Sequence, residues 1–266
     1  MSIKTVILTG FGINCENETK VAFERAGSDA DCIHLTDLMR NPSAIHDYQI
    51  LAIPGGFSYG DDVASGKIFA NRMRHKLGAE LQRFAQDGKL AIGICNGFQV
   101  MVKMGLLPFF EGEFTQEVTL THNDSDRFEN RWVHLKKDVT TNCVWLKDIE
   151  LLESPIRHGE GKFIPRDDET LRRLQENGQI ALRYANSEGI SCDGQFPGNP
   201  NGSVDDIAGV CDPSGRLFGL MPHPEAFLDA TNHPSWTRET SLADEGAGLQ
   251  LFRNAVEFAA RELQLA

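Results

Sequence analysis

The first hundred residues alternate between apolar runs and amphipathic segments. Apolar runs predict buried strands at residues 5–12, 31–36, 48–57 and 89–95. Apolar residues at helical spacing predict helices at residues 16–27, from 66 to about 86, and at 97–104. Strands that are apolar throughout and are separated by helices are typical of a parallel sheet covered on both faces. The pattern therefore predicts an α/β fold, built on a mostly parallel sheet with helices on both faces.

The second half of the chain has a less regular pattern. Residues 114–135 predict strands around a polar loop, and residues 171–185 predict a helix, a turn and a strand. Residues 196–227 contain a loop rich in proline and glycine, then a hairpin that turns at 212–215 and leads into Pro222-His223-Pro224-Glu225. A closing helix is predicted at residues 245–264. Because the sequence shows no repeat, low-complexity segment or linker, we predict a single domain over residues 1–266.

Three of the four predicted front strands end in glycine turns. Gly10 and Gly12 follow the first strand, Gly55 and Gly56 the third, and Cys95-Asn96-Gly97 the fourth. Ligands of parallel sheets bind at the C-terminal ends of the strands. We therefore expect the functional site at this edge.

The charge balance excludes some functions. The chain has 26 basic and 38 acidic residues, a net charge of −12, which argues against nucleic-acid binding. No apolar run approaches the roughly 18 residues that a membrane helix needs, and the N-terminus lacks a signal-peptide pattern. We expect a cytoplasmic protein that handles small molecules or docks on a partner.

Six cysteines are scattered along the chain without a CxxC pair, so we expect neither a disulfide framework nor a metal site. His158 and Glu160 are two residues apart but have no third ligand, which also argues against a metal. Five of the six are interpreted as ordinary small residues: Cys15, Cys32, Cys143, Cys192 and Cys211.

Cys95 differs from the other cysteines because it lies on a predicted strand-to-helix turn. The N-terminus of the following helix stabilises a thiolate, and Gly93 and Gly97 allow a tight turn that exposes the sulfur. Serine hydrolases present their nucleophile in the same way. This setting alone leaves a reactive thiol and a buried inert cysteine equally open.

A nucleophilic cysteine needs a base, an orienting group and an oxyanion site. His223 lies between two prolines at the end of a predicted strand, and Glu225 is close enough in an extended segment to orient its ring. The backbone amide of Asn96, with one from Gly55 or Gly56, could bind the oxyanion. Together these residues indicate a cysteine acyl-transfer enzyme.

Three motifs, PGG (54–56), GICNGFQ (93–99) and PHPE (222–225), resemble those of the class I glutamine amidotransferases. The resemblance implies a flavodoxin-like amidotransferase fold and a Cys-His-Glu triad that hydrolyses glutamine through a thioester. It assigns the nucleophile to Cys95, the base to His223 and the orienting carboxylate to Glu225. It assigns the oxyanion donors to the amides of Gly56 and Asn96. Four residues are substrate-binding candidates: Phe57, Gln99, Arg127 and Phe128.

Five further segments resemble the glutaminases of the phosphoribosylformylglycinamidine synthase family: 55–62, 95–99, 125–132, 157–163 and 199–203. This resemblance spans residues 5 to 261 or so and implies a stand-alone glutaminase subunit in purine biosynthesis. Its ammonia would pass to a large synthetase subunit, with or without a further small subunit, which converts formylglycinamide ribonucleotide. ATP and magnesium are expected on that partner, because the chain has no G-x-x-x-x-G-K-[ST] loop, so no cofactor is expected here.

Three alternatives stay open at the level of the sequence. The chain could serve a different synthetase, such as one that makes GMP, CTP or carbamoyl phosphate. It could be a catalytically idle docking subunit, although the complete triad argues against this. It could also be a free-standing cysteine hydrolase of related fold.

Overall fold

The computed structural model describes residues 2–238 and 243–263 of the chain. The strands within these residues are β1 (Lys4–Thr9), β2 (Asp29–His34), β3 (Ile50–Ile53), β4 (Leu90–Ile94), β5 (Val118–Thr121), β6 (Glu129–Lys137), β7 (Leu151–His158), β8 (Lys162–Pro165), β9 (Ile180–Ala185), β10 (Ile207–Cys211) and β11 (Leu217–Leu220). The α-helices are α1 (Glu16–Arg25), α2 (Leu35–Arg40), α3 (Lys67–Gln86), α4 (Asn96–Met104), α5 (Asp168–Glu176) and α6 (Leu249–Glu262).

Nine of these strands form one sheet, in the order β2-β1-β3-β4-β11-β10-β9-β6-β7. The first five are parallel to one another, so their C-terminal ends share one edge. The other four extend the sheet in antiparallel fashion, and β5 pairs with β8 in a separate small sheet. The sheet therefore joins the regular front half of the chain to the irregular back half.

The position of β11 decides which chain segments meet at the edge. β11 lies beside β4 in parallel register, with Leu220 opposite Ile94. The residue after β4 is Cys95, and a short connection after β11 leads to His223. Two segments far apart in sequence therefore emerge next to each other.

The helices pack against the sheet through their apolar faces. β3 and β4 are buried along their whole length, as expected for central strands with helices on both faces. On α3 the buried stripe consists of Phe69, Ala70, Met73, Leu77, Leu81 and Phe84. Helices α1 and α6 pack together, with the Phe23 and Phe252 rings edge to face at 5.1 Å.

The structure confirms the predicted fold class and most of the front elements. The predicted strand at 48–57 is shorter, because the chain leaves β3 before Pro54. The hairpin at 212–215 is present as β10 and β11. The short helix α2 was not predicted, nor were β7 and β8. The predicted closing helix corresponds to α6, and its last predicted residue, Gln264, lies outside the described residues.

Among the helices that the structure describes, none is long and apolar enough to cross a membrane.

Candidate active site

Cys95 lies at the junction of β4 and α4, on a backbone with φ 52° and ψ −107°. A non-glycine residue in this region is strained, and such strain is common where a side chain is held for function. Two glycines make the junction possible. A Cβ on Gly97 would overlap the carbonyl oxygen of Ile53, and one on Gly93 would lie 2.6 Å from the carbonyl oxygen of Gly97. Only glycine lets α4 start this close to β3.

His223 and Glu225 form a hydrogen-bonded pair just after β11. His223 Nδ1 lies 2.6 Å from Glu225 Oε1, and both side chains are almost completely buried. The backbone amide of His223 donates to the carbonyl oxygen of Pro155 on β7, which fixes the segment against the sheet. This arrangement holds the imidazole in one orientation and leaves Nε2 without a hydrogen-bond partner among the described residues.

The surroundings of His223 favour its charged form. Burial on its own disfavours the imidazolium, but the Glu225 carboxylate and the Cys95 sulfur outweigh it and raise the pKa of His223 well above its usual range. The site therefore favours a protonated His223 beside the sulfur of Cys95. A neighbouring imidazolium is one of the groups that activate cysteine nucleophiles.

Cys95 and His223 open onto one small cavity of about 110 Å³. It is lined by Asn14, Cys15, Gly56, Phe57, Cys95, Phe128, Arg157 and His223. The structure thus brings the predicted nucleophile and base together, with Glu225 behind the base.

The two predicted oxyanion donors follow the neighbouring strands β3 and β4. Gly56 lines the cavity, at φ 150°, and a Cβ there would lie 2.5 Å from the carbonyl oxygen of Gly12. Asn96 is the first residue of α4, where backbone amides have no acceptor inside the helix. The side chain of Asn96 is already engaged, because it accepts from the amide of Ser58 and donates to Gln99. The side chain of Asn96 is therefore not available to a ligand, and the oxyanion role of its backbone amide stays a prediction.

The four substrate-binding candidates occupy different places. The rings of Phe57 and Phe128 line the cavity with centroids 6.3 Å apart, and each ring is about half exposed. Gln99 is buried behind the nucleophile and donates to the carbonyl oxygen of Glu160. Arg127 is exposed and does not line the cavity. A role in substrate binding stays a prediction for all four.

Sequence reasoning missed three of the cavity residues, Asn14, Cys15 and Arg157. The carbonyl oxygen of Arg157 lies 3.7 Å from Cys95 Sγ. Cys15 was interpreted as an ordinary small residue, yet its sulfur lies within 4.8 Å of donor atoms of both His223 and Glu225. A signal was present, because Cys15 follows the glycine turn after β1 and so belongs to the same edge of the sheet.

His158 is buried and does not line the cavity. Its Nδ1 lies 3.1 Å from Asn123 Oδ1, and Asn123 also binds the amide of Gly161. Burial, together with the charge of His223, lowers the pKa of His158 to about 3, so this ring is neutral. His158 and Glu160 are not brought together with a third metal-binding side chain among the described residues.

Sequence comparison relates nearly the whole chain to one enzyme family. The family model for the CobB/CobQ-like glutamine amidotransferase domain matches residues 2–259. A protein of Methanococcus maripaludis named phosphoribosylformylglycinamidine synthase subunit PurQ is 43% identical, covering 96% of this chain and 97% of its own. A protein of the same name from Dehalococcoides mccartyi is 44% identical, covering 97% of this chain and 98% of its own.

Structural comparison gives the same relationship. The solved structure of PurLQS from Thermotoga maritima matches with a TM-score of 0.71 and 29% sequence identity, covering 97% of this chain and 99% of that one. The family model, which matches residues 2–259, includes both β4 and the segment after β11. The likeness therefore extends over both halves of the candidate site.

Proposed function

The chain belongs to the CobB/CobQ-like glutamine amidotransferase family, and from this premise we propose that it is the glutaminase subunit of phosphoribosylformylglycinamidine synthase. It hydrolyses glutamine to glutamate and ammonia, and the ammonia serves purine biosynthesis. Its partner is the large synthetase subunit. The observation that carries the catalytic part of the proposal is the shared cavity of Cys95 and His223, with Glu225 bonded to the far side of the imidazole.

We propose that the reaction begins when the Cys95 thiolate attacks the side-chain amide carbon of glutamine. The C=O π electrons move onto oxygen, and the amides of Gly56 and Asn96 donate to this oxyanion. When the intermediate collapses, the C–N bond breaks and protonated His223 gives its proton to the departing nitrogen. Ammonia leaves, and the glutamyl group remains on Cys95 as a thioester.

The second half of the cycle uses His223 as a base. Neutral Nε2 takes a proton from water, which attacks the thioester carbon, and the C–S bond then breaks to release glutamate and the thiolate. Glu225 touches neither substrate nor water. It holds the ring and stabilises the imidazolium each time the ring is charged. The raised pKa of His223 favours the protonated ring, which is the form that gives a proton to the departing nitrogen in the first half of the cycle.

The synthetase partner would bind ATP and magnesium and convert formylglycinamide ribonucleotide to formylglycinamidine ribonucleotide. Ammonia in bulk water is largely protonated near neutral pH, so transfer between the subunits needs a protected path. A cytoplasmic location is part of the same proposal, since its substrates are intermediates of central metabolism.

Reconstitution with the synthetase tests the division of labour. Cys95→Ala should abolish glutamine-dependent synthesis, by about 10⁴-fold or more, while synthesis from added ammonium salt continues. The matched control is Cys32→Ala, which removes an exposed cysteine and should leave both activities intact. Loss of the ammonia-dependent activity in Cys95→Ala would contradict the assignment, and so would retention of the glutamine-dependent one.

Chemical labelling tests the nucleophile independently of the partner. A glutamine analogue that carries an electrophile in place of the amide should add its mass to one cysteine, and peptide mass spectrometry should find it on Cys95. Labelling of Cys15 instead of Cys95 would contradict the assignment of Cys95 as the nucleophile.

A further inference from the structure

We propose that Cys15, His223 and Glu225 form a binding site for a zinc ion, and that an ion bound there switches the glutaminase off. The three residues come from the start of α1 and from the segment after β11. The metal site itself rests on geometry, and only its inhibitory effect rests on the proposed function.

The donor atoms are already close together. The Cys15 sulfur, a ring nitrogen of His223 and a carboxylate oxygen of Glu225 all lie within 4.8 Å of one another, and all three residues are buried. On two of these residues a buried polar atom, His223 Nε2 and Glu225 Oε2, has no hydrogen-bond partner in the described part of the chain. Buried polar atoms without partners are uncommon, and an absent ligand is one explanation for them.

Gly55 leaves room at this position. A Cβ there would lie 2.7 Å from His223 Cε1 and 3.3 Å from Cys15 Sγ, so any side chain would fill the gap between imidazole and sulfur. The carbonyl oxygen of Gly55 accepts the backbone amide of Cys15 at 3.2 Å, which keeps the thiol beside the gap. The gap is therefore a fixed feature of the backbone.

The donor set matches zinc in type and in charge. Thiolate, imidazole and carboxylate are the three ligand types that bind zinc in proteins. One thiolate, one carboxylate and one neutral imidazole balance the two positive charges of the ion, so the occupied site would be neutral inside a buried region. A water molecule would complete four-coordination.

Binding requires a modest rearrangement. Zinc–donor bonds of about 2.0 to 2.3 Å place tetrahedral donors roughly 3.5 Å apart. The 2.6 Å contact between His223 and Glu225 must therefore open, and the Cys15 thiol must leave Asn14 Oδ1, to which it now donates at 3.2 Å. Zinc would thereby take the imidazole from its orienting carboxylate and prevent its proton exchange with Cys95. Inhibition follows from these two losses.

Metal binding can be measured without any catalysis by working in the Cys95→Ala background. That variant should bind one equivalent of Zn²⁺ in titration calorimetry. Adding Cys15→Ser should weaken binding by about 100-fold or more, since it replaces a thiolate ligand by a poor one. Adding Cys32→Ala, an exposed cysteine outside the site, should leave the affinity unchanged. Substituting Co²⁺ should give a thiolate-to-cobalt charge-transfer band that disappears with Cys15→Ser, and circular dichroism checks that each variant is folded.

Two outcomes would overturn the site. If Cys95→Ala and its Cys15→Ser double variant bind Zn²⁺ equally, Cys15 is not a ligand. If Cys95→Ala alone removes the binding seen in the wild type, the ion sits between Cys95 and His223 instead. Glutaminase assays of the wild-type complex should show inhibition over the same Zn²⁺ range as binding. Binding without any glutaminase activity to inhibit would contradict the proposed function and leave the metal site standing.

Discussion

In the proposed mechanism Glu225 acts on the reaction only through His223, so its loss should lower activity less than the loss of the base itself. We expect Glu225→Gln to lower kcat by about 10²-fold, and His223→Gln by at least ten times more. The charge of Glu225 supports the imidazolium, so its removal lowers the pKa of His223 and moves the basic limb of the pH–rate profile to lower pH. The measurement is the pH profile of glutaminase activity in the complex.

A second histidine–glutamate pair provides the control for this experiment. His233 Nε2 lies 3.1 Å from Glu153 Oε1, away from the cavity. Glu153→Gln should leave kcat and the pH profile unchanged. If Glu225→Gln were as inactive as His223→Gln, or kept the wild-type pH profile, Glu225 would have a role other than orienting and charging the base.

At the scale of single residues, the sequence could predict partners that follow neighbouring parallel strands. Cys95 after β4 and His223 after β11 are such a pair, once the glycine turns indicate the edge. Cys15 follows a glycine turn at the same edge, but the sequence does not indicate which other residue it approaches. Its closeness to His223 depends on the three-dimensional path after β1. The engagement of Gln99 by Asn96 and Glu160 depends equally on tertiary contacts.

The contact between α4 and β3 is the element-scale feature on which the site depends. Gly97 lies against the carbonyl of Ile53, so Gly97→Ala must push α4 away from β3. We expect a loss of about 2 to 4 kcal/mol in the free energy of unfolding, as for other overpacked sites. Glutamine-dependent activity should fall as well, because α4 carries the Asn96 amide. Urea denaturation and the reconstituted assay measure the two effects.

Gly78 is the matched control for a glycine in a helix. It lies within α3, and a Cβ there would meet only Phe114 Cε2, at an ordinary 3.6 Å. Gly78→Ala should be neutral or stabilise the protein by up to about 1 kcal/mol, as expected for replacing glycine inside a helix. Equal destabilisation by both substitutions would show that the Gly97 contact is not the cause.

At the element scale, the sequence predicted strands whose residues are all buried and missed two strands whose residues are only partly buried. Apolar strands such as β4 stand out in the sequence. β7 did not, because it carries charged residues and Pro155, and proline argues against a central strand. The structure resolves this, since β7 is the edge strand of the sheet and needs no ladder hydrogen bond on its outer side. The carbonyl of Pro155 instead accepts the amide of His223.

At the scale of the whole molecule, we expect His158 to make the free energy of unfolding fall at acidic pH. This ring is buried and neutral, with its pKa lowered to about 3, whereas in the unfolded chain a histidine takes up a proton near pH 6.5. Below pH 6.5 the unfolded state therefore binds more protons than the native state, and stability falls with falling pH. From this residue alone we expect a loss of about 1 kcal/mol for each pH unit between pH 6 and 4.

A comparison of two variants separates the contribution of His158 to the pH dependence of stability from that of other titratable groups. His158→Gln keeps a side chain that can bind Asn123 but cannot be charged, so its free energy of unfolding should fall less steeply between pH 6 and 4 than that of the wild type. His75→Gln, which removes an exposed imidazole on α3, should keep the wild-type slope. Urea denaturation at three pH values in this range measures all three slopes. A His158→Gln slope equal to that of the wild type would contradict the prediction. It would mean that the native state accepts a proton on His158, because water reaches the ring or its surroundings rearrange in acid.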